Sequence, residues 1–267
     1  YQIMMDLIHN AKKIIFLEGD IDNRTMHLVK DLNTMMIINT RKKDNMHYKF
    51  RRNEKDFIKM IDKDLENDLN VVLVVMSESK ANAYYDKYKD KYRTMKYTSK
   101  TGDADKKDLC KVEKIWVKLR LLIYTNTIEA GVSFNVEHFD KLYVIISGHS
   151  TSQRGLMQML HRVRKFRNCV AECLCYKIPL KTETYSRYTY SEMLMFYNTI
   201  SNAHERVLNE HNQIEYVPKT QYDTYDQIKM RNMLEILNKS DDCFIPIFIA
   251  MLLDKGHTYE IIDDKQC

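Results

Sequence analysis

Hydrophobic residues in this chain fall in short unbroken runs, separated by stretches of mixed polarity. The runs are Ile14–Leu17, Met35–Ile38, Val71–Met76, Leu119–Tyr124, Leu142–Ile146 and Val170–Ile178. Runs of this length with polar borders predict strands buried on both faces. The segments between them carry helical spacing. Phe57, Ile61 and Leu65 recur every four residues in 56–68, and 80–92 is a charged, tyrosine-bearing helix candidate. Leu109, Val112 and Trp116 share a side of 105–117, and Leu156, Leu160 and Val163 share a side of 152–164. Strands alternating with helices predict an α/β fold built on a parallel sheet with crossover helices.

Beyond Pro179 the pattern changes. Residues 181–190 are polar and tyrosine-rich, while 192–210, 225–238 and 241–253 read as helices. Asp241 is a candidate N-cap and Gly256 lies just past the last helix. The expected organisation is therefore an α/β lobe to about residue 180 and an α-helical extension over 181–267. The apolar run Cys243–Leu253 contains Pro246 and is too short to span a bilayer. It reads as a buried helix.

Composition adds three constraints. Apolar residues make up 44% and charged residues 30%, which suits a globular protein with a sizeable core. A net charge of +5 permits contact with phosphate without demanding it. Lysine dominates the basic residues, 29 to 13 arginines, yet four of those arginines (154, 162, 164 and 167) fall within fourteen residues. Six cysteines are too few for a disulfide scaffold, no secretory signal is visible, and the chain starts without Met. The expectation is a reduced, intracellular piece of a longer protein. Cys173 and Cys175 alternate in a strand pattern with Cys169 before them, but no second pair completes a zinc site, so they read as buried free thiols.

Three segments carry candidate chemistry. TNTIEAGVSF, 125–134, follows an apolar run, and ligands of parallel sheets gather where strands end. Gly131 is one of six glycines and permits close backbone approach, while Thr125 and Thr127 offer hydroxyls to phosphate oxygens. A turn without a ligand is the alternative. In QMLHRVRK, 158–165, a helix would put Gln158 and Arg162 on one face, with Lys165 beside Arg162. Arginine's planar fork can brace charge on a transferring phosphoryl group. A solvated basic face is the alternative. In VVLVVMSESK, 71–80, the strand ends in hydroxyls at a helix start, which bind anions or simply cap. His161 reads as a polar helix residue or a nucleotide neighbour. Tyrosines 84, 85, 88, 92 and 97 pack under a charged helix or stack on bases.

The succession resembles the second RecA-like lobe of superfamily 2 helicases. VVLVVMSESKANAYY resembles motif IV, TNTIEAGVSF motif V and QMLHRVRK motif VI. GVSF followed by QMLHRVRK is similar to the herpesvirus origin-binding-protein helicase family, which has relatives in large cytoplasmic DNA viruses. IIFLEGDIDNRT resembles that family's segment around motif III, and DDCFIPIFIAMLLDKGH resembles the helical region after the lobe. The resemblance implies that 1–32 ends a first lobe and links it to a second over 33–180. It implies ATP and Mg²⁺ between two lobes, DNA as partner, possible self-association or replication proteins, and host cytoplasm as location. By residue, it implies Arg162, helped by Arg164 or Lys165, at the γ-phosphate. Gln158, Gly131, Glu129 and Ser133 would meet the nucleotide, and Ser77, Lys80, Thr125 and Thr127 the DNA backbone. Three departures stand out: His161 replaces the usual glycine, Lys165 the second arginine and Ser133 the usual acid. No GxxxxGK[ST] phosphate loop occurs in the sequence, so the chain alone is expected not to hydrolyse ATP. The rival reading is a non-catalytic nucleic-acid-binding or oligomerisation module on a degenerate helicase lobe.

Overall fold

The computed structural model describes residues 2–15, 32, 35–37, 45–102, 108–128, 131–147, 150–177, 180, 204–208, 213–218 and 241–262. They belong to two compact units, 1–41 with 186–238 and 42–185 with 239–267. In the first unit, α1 spans Gln2–Asn10. The same unit holds an antiparallel hairpin of β7, His204–Leu208, and β8, Ile214–Pro218.

The second unit is built on a parallel sheet of seven strands. They are β1 His47–Arg51, β2 Val71–Val75, β3 Thr94–Tyr97, β4 Leu121–Tyr124, β5 Lys141–Ile146, β6 Val170–Cys175 and β9 Thr258–Ile261. The order across the sheet is β3-β4-β2-β5-β6-β1-β9. The α/β expectation holds. Strands β2, β4, β5 and β6 coincide with predicted runs because apolar side chains occupy both of their faces.

Each sheet face is covered by helices. On one side lie α2, Glu54–Glu66, and α3, Glu78–Tyr88. Asn53 starts α2 by accepting from the backbone N–H groups of Lys55 and Asp56. Its buried stripe is Phe57, Ile61 and Leu65, as the spacing predicts. Tyr84 and Tyr88 pack under α3, so these tyrosines are core rather than exposed platforms. On the other side lie α4, Val112–Trp116, α5, Gln153–Leu160, and α6, Asp241–Asp254. Trp116, Phe134, Phe139, Phe244 and Phe248 form the aromatic part of that core.

Three expectations are corrected. Residues 181–267 are not purely helical: they contain β7, β8 and β9, and 241–262 joins the main sheet instead of forming an extension. The apolar run from Met35 forms no strand over its described residues, where Met35 and Ile37 are exposed. The helix expected over 152–164 stops at Leu160.

Candidate functional site

That early stop creates the site's main feature. Ser152 opens α5 by accepting from Gly155 N–H at 3.1 Å, and His161 closes it. The chain then runs extended, parallel to residues 134–139. Phe134 N–H donates to Arg162 O at 2.8 Å, and Arg164 N–H donates to Phe134 O at 2.9 Å. Bridges Phe134–Val163 and Phe139–Phe166 fix the register. Alternation follows from strand geometry. Val132, Phe134 and Val163 point into the core, leaving Gly131, Asn135, Arg164 and Lys165 exposed. Arg162 is therefore not on a helical face with Gln158. Gln158 is half-buried in the last turn of α5, where its carbonyl accepts from His161 N–H.

The two segments meet through side chains as well. Arg162 Nη1 donates to Val132 O at 3.1 Å, one residue from Gly131. Arg164 Nε donates to Ser133 Oγ at 3.2 Å. Gly131 adopts φ +79°, and a Cβ there would meet nothing within 4 Å. Glycine is thus required by backbone conformation rather than by crowding. The fold brings Gly131, Ser133, Arg162 and Arg164 to one place, and Lys165 follows Arg164 in the chain with its side chain exposed. Glu129 lies outside the described residues. Lys111 and Lys114, which sequence spacing did not single out, are exposed and border a groove of ≈ 580 Å³ with Gly131 and Ser133. Glu113 lines the groove as well. The two ammoniums, the Ser133 hydroxyl with Arg164 bonded to it, and the exposed glycine backbone fit a phosphate-bearing ligand. Among the described residues no group of three or more His, Cys, Asp or Glu could hold a metal ion.

The remaining candidates sit at the carboxyl ends of the strands. Thr125 follows β4 and is buried, with its N–H donating to Tyr97 O at 3.0 Å. Its hydroxyl lies 3.3 Å from that of Thr127. Residues Asn126–Ile128 form a short 3-10 turn against α5. Ser77 follows β2 and caps α3, its Oγ facing Lys80 N–H at 3.5 Å. Lys80 is committed internally. Its ammonium pairs with Glu54 and lies 3.8 Å from the centroid of the Tyr176 ring. Ser77 and the two threonines present hydroxyls along this edge, Ser77 Oγ lying 3.0 Å from Ser79 Oγ. Arg167 is also set apart from the basic strip, donating to Asp140 Oδ1 at 3.1 Å. Cys173 and Cys175 are buried, and burial pushes the Cys175 thiol up to about 12.

Residues 16–217 match the family described as origin of replication binding protein. The chain belongs to that family. A protein of Acanthamoeba polyphaga mimivirus, named as a replication origin-binding protein, is 28% identical over 276 residues, covering 97% of this chain and 34% of its own length. A protein of African swine fever virus (strain Badajoz 1971 Vero-adapted), named as a helicase/primase complex protein, is 26% identical over 271 residues. That match covers 96% of this chain and 25% of the viral protein. This origin-binding family member thus spans about a third or less of those curated relatives. Among solved structures, S. cerevisiae Dbp5 bound to RNA and ADP BeF3 aligns with 78% of this chain and 51% of its own. Its TM-score is 0.41 at 15% identity. No described helix is long and apolar enough to cross a membrane.

Proposed function

We propose that this chain is the second, RecA-like ATPase lobe of a viral DNA replication helicase of the origin-binding family. It acts with a first lobe on the opposite side of a nucleotide. The observation that carries this reading is the pairing of the Gly131–Phe134 segment with Arg162–Phe166, which holds the Arg162 guanidinium at the Val132 carbonyl. When bound, ATP with Mg²⁺ supplies the phosphoanhydride whose hydrolysis drives the cycle. Arg162 braces charge on the terminal phosphate, and Arg164 and Lys165 add exposed positive charge beside it. Gly131 and Ser133 line the nucleotide edge, and Gln158 in the last turn of α5 conveys its state to the helix. Glu129 is assigned to the same edge.

The DNA side is carried by the half-buried Ser77 and Thr127, near the ends of the adjacent strands β2 and β4, with the buried Thr125 supporting Thr127 from behind. Hydroxyls there suit backbone phosphates and give no base preference. Lys80 acts by fixing the start of α3 through Glu54 rather than by meeting phosphate. Replication proteins or further copies of the chain are the expected protein partners.

Arginine-finger substitution tests the reading. In the full-length protein, R162A is expected to lower DNA-stimulated ATP hydrolysis by about 10³-fold while DNA binding persists. R162K is expected to rescue little, because a point charge does not reproduce the planar fork. Unchanged hydrolysis in R162A overturns the assignment and favours the non-catalytic nucleic-acid module. The engagement of Arg164 with Ser133 supports that second reading to the extent that it spends one basic group internally.

A further inference from the structure

The end of α5 is held by a residue from the other end of the chain. His161 closes α5 and immediately precedes Arg162. Its ring lies 6.0 Å, centroid to centroid, from that of His257, with the planes inclined by 31°. His257 is buried, with 4% of its surface exposed. Its N–H donates to Leu252 O at 3.0 Å, and its Nδ1 accepts from Met46 N–H at 3.1 Å. The Tyr48 ring meets it edge-on at 5.5 Å. Gly256, at φ +83°, lets the chain turn sharply from α6 so that His257 points inward.

These contacts tie the C-terminal hook, 241–262, to two elements at once. Thr258 N–H donates to Met46 O at 3.1 Å, which begins the pairing of β9 with β1. Phe244, Ile245, Phe248 and Leu252 of α6 share one core with Leu156, Met159 and Leu160 of α5. Arg162 meanwhile has its N–H on Met159 O at 3.0 Å and its guanidinium on Val132 O. A shift of the α5 terminus therefore moves the guanidinium directly.

We propose that His257 is a positioning residue for the basic strip. By backing the His161 ring it sets where Arg162 leaves the helix, and the C-terminal hook becomes part of the machinery that orients the finger. The proposal rests on the reading of Arg162 given above. The His257 side chain is buried behind the exposed strip, so the expected effect is on turnover and not on ATP affinity.

A double-mutant cycle in the full-length protein tests it, with H257N, H161G and the pair. H257N keeps a side-chain acceptor for Met46 N–H and removes the ring. H161G acts at a half-exposed position and spares the core. Each single variant is expected to lower kcat of DNA-stimulated ATP hydrolysis about tenfold, with KM for ATP unchanged. The double variant is expected to fall no further, and H257F, which restores a ring, to recover most of the loss. Singles that stay within about twofold of the parent kcat, or losses that multiply in the double variant, overturn the proposal. R162A run alongside separates the two ideas. An impaired R162A beside an unaltered H257N removes the histidine role alone, whereas an unaltered R162A removes both.

Discussion

Replacing Phe134 by alanine measures how firmly the basic strip is anchored. Phe134 is fully buried, and its ring packs 5.6 Å from Trp116 and 5.5 Å from Phe139. Its N–H and carbonyl are both used by the strip, and alanine keeps both of those bonds. What is lost is apolar burial and ring contact, with rigid aromatic neighbours that collapse poorly into the void. A Phe→Ala change of this kind costs about 3–5 kcal/mol, and two aromatic neighbours push it toward the upper half. With a urea slope of about 2.5 kcal/mol per M, the midpoint falls by about 1.6–2 M. Trp116 is the sole tryptophan and touches the mutated site, so its fluorescence reports unfolding of this unit specifically. The neighbouring S133A removes one exposed contact with Arg164 and is expected to cost about 0.5 kcal/mol or less. A midpoint shift under about 0.4 M for F134A, close to 1 kcal/mol, would refute the claim that this residue clamps the two segments together.

Three further outcomes follow from buried chemistry. R51M leaves Glu172 buried without its 2.6 Å partner, so urea unfolding should lose about 3–5 kcal/mol. Adding Glu172→Leu to R51M should recover most of that loss, and a single variant as stable as the parent would contradict it. Iodoacetamide at pH 8 should label the exposed Cys110 and Cys169 in the native protein but spare Cys173 and Cys175 until denaturant is added. Peptide mass spectrometry reads this, and labelling of Cys175 as fast as Cys110 would refute it. The same burial raises the Cys175 thiol from 9.0 to about 12. Its neutral form is favoured in the folded state, so this contribution is full below pH 9 and fades as pH rises through 12. Thermal unfolding temperatures should decline across that alkaline window.

Strands β2, β4, β5 and β6 were legible because their buried side chains, the paired Glu172 of β6 apart, are apolar on both faces, which leaves a plain signature. Strands β1, HYKFR, and β9, TYEI, gave no such run. Their polar positions are satisfied across the pair, Lys49 to Glu260 at 2.7 Å and His47 to Thr258 at 2.8 Å, a compensation invisible in either segment alone. Met35–Ile37 misled in the opposite direction, since an apolar run does not guarantee a neighbouring strand. The association of Gly131 with Arg162 could be anticipated from the order of the segments. Its geometry could not, because helical spacing continues through Val163 while the backbone leaves the helix after Leu160. Tertiary pairing with Phe134 overrides the local pattern there. Lys80 looked free in sequence because Glu54 and Tyr176 approach it only through the fold.

If the threonines meet DNA and the Gly131 edge meets nucleotide, as proposed, the two are joined by a short physical path. Thr125 and Thr127 lie at one end of the segment 125–134, and Gly131 and Ser133 at the other. Both ends are fixed to different parts of the unit. Thr125 N–H is tied to Tyr97 of the edge strand β3, and Phe134 N–H to Arg162 after α5. Between them the 3-10 turn rests on α5, and Asn126 Nδ2 donates to Ser150 O at 3.4 Å, ahead of that helix. Under the proposed function, displacement of the threonines by a phosphate backbone is expected to be resisted at Phe134 and passed to α5, whose closing residue His161 directly precedes Arg162. A device built this way needs no long-range rearrangement. Under that proposal a shift at either end alters the hydrogen-bond geometry with which the guanidinium would meet a phosphate, and such bonds weaken steeply with misalignment.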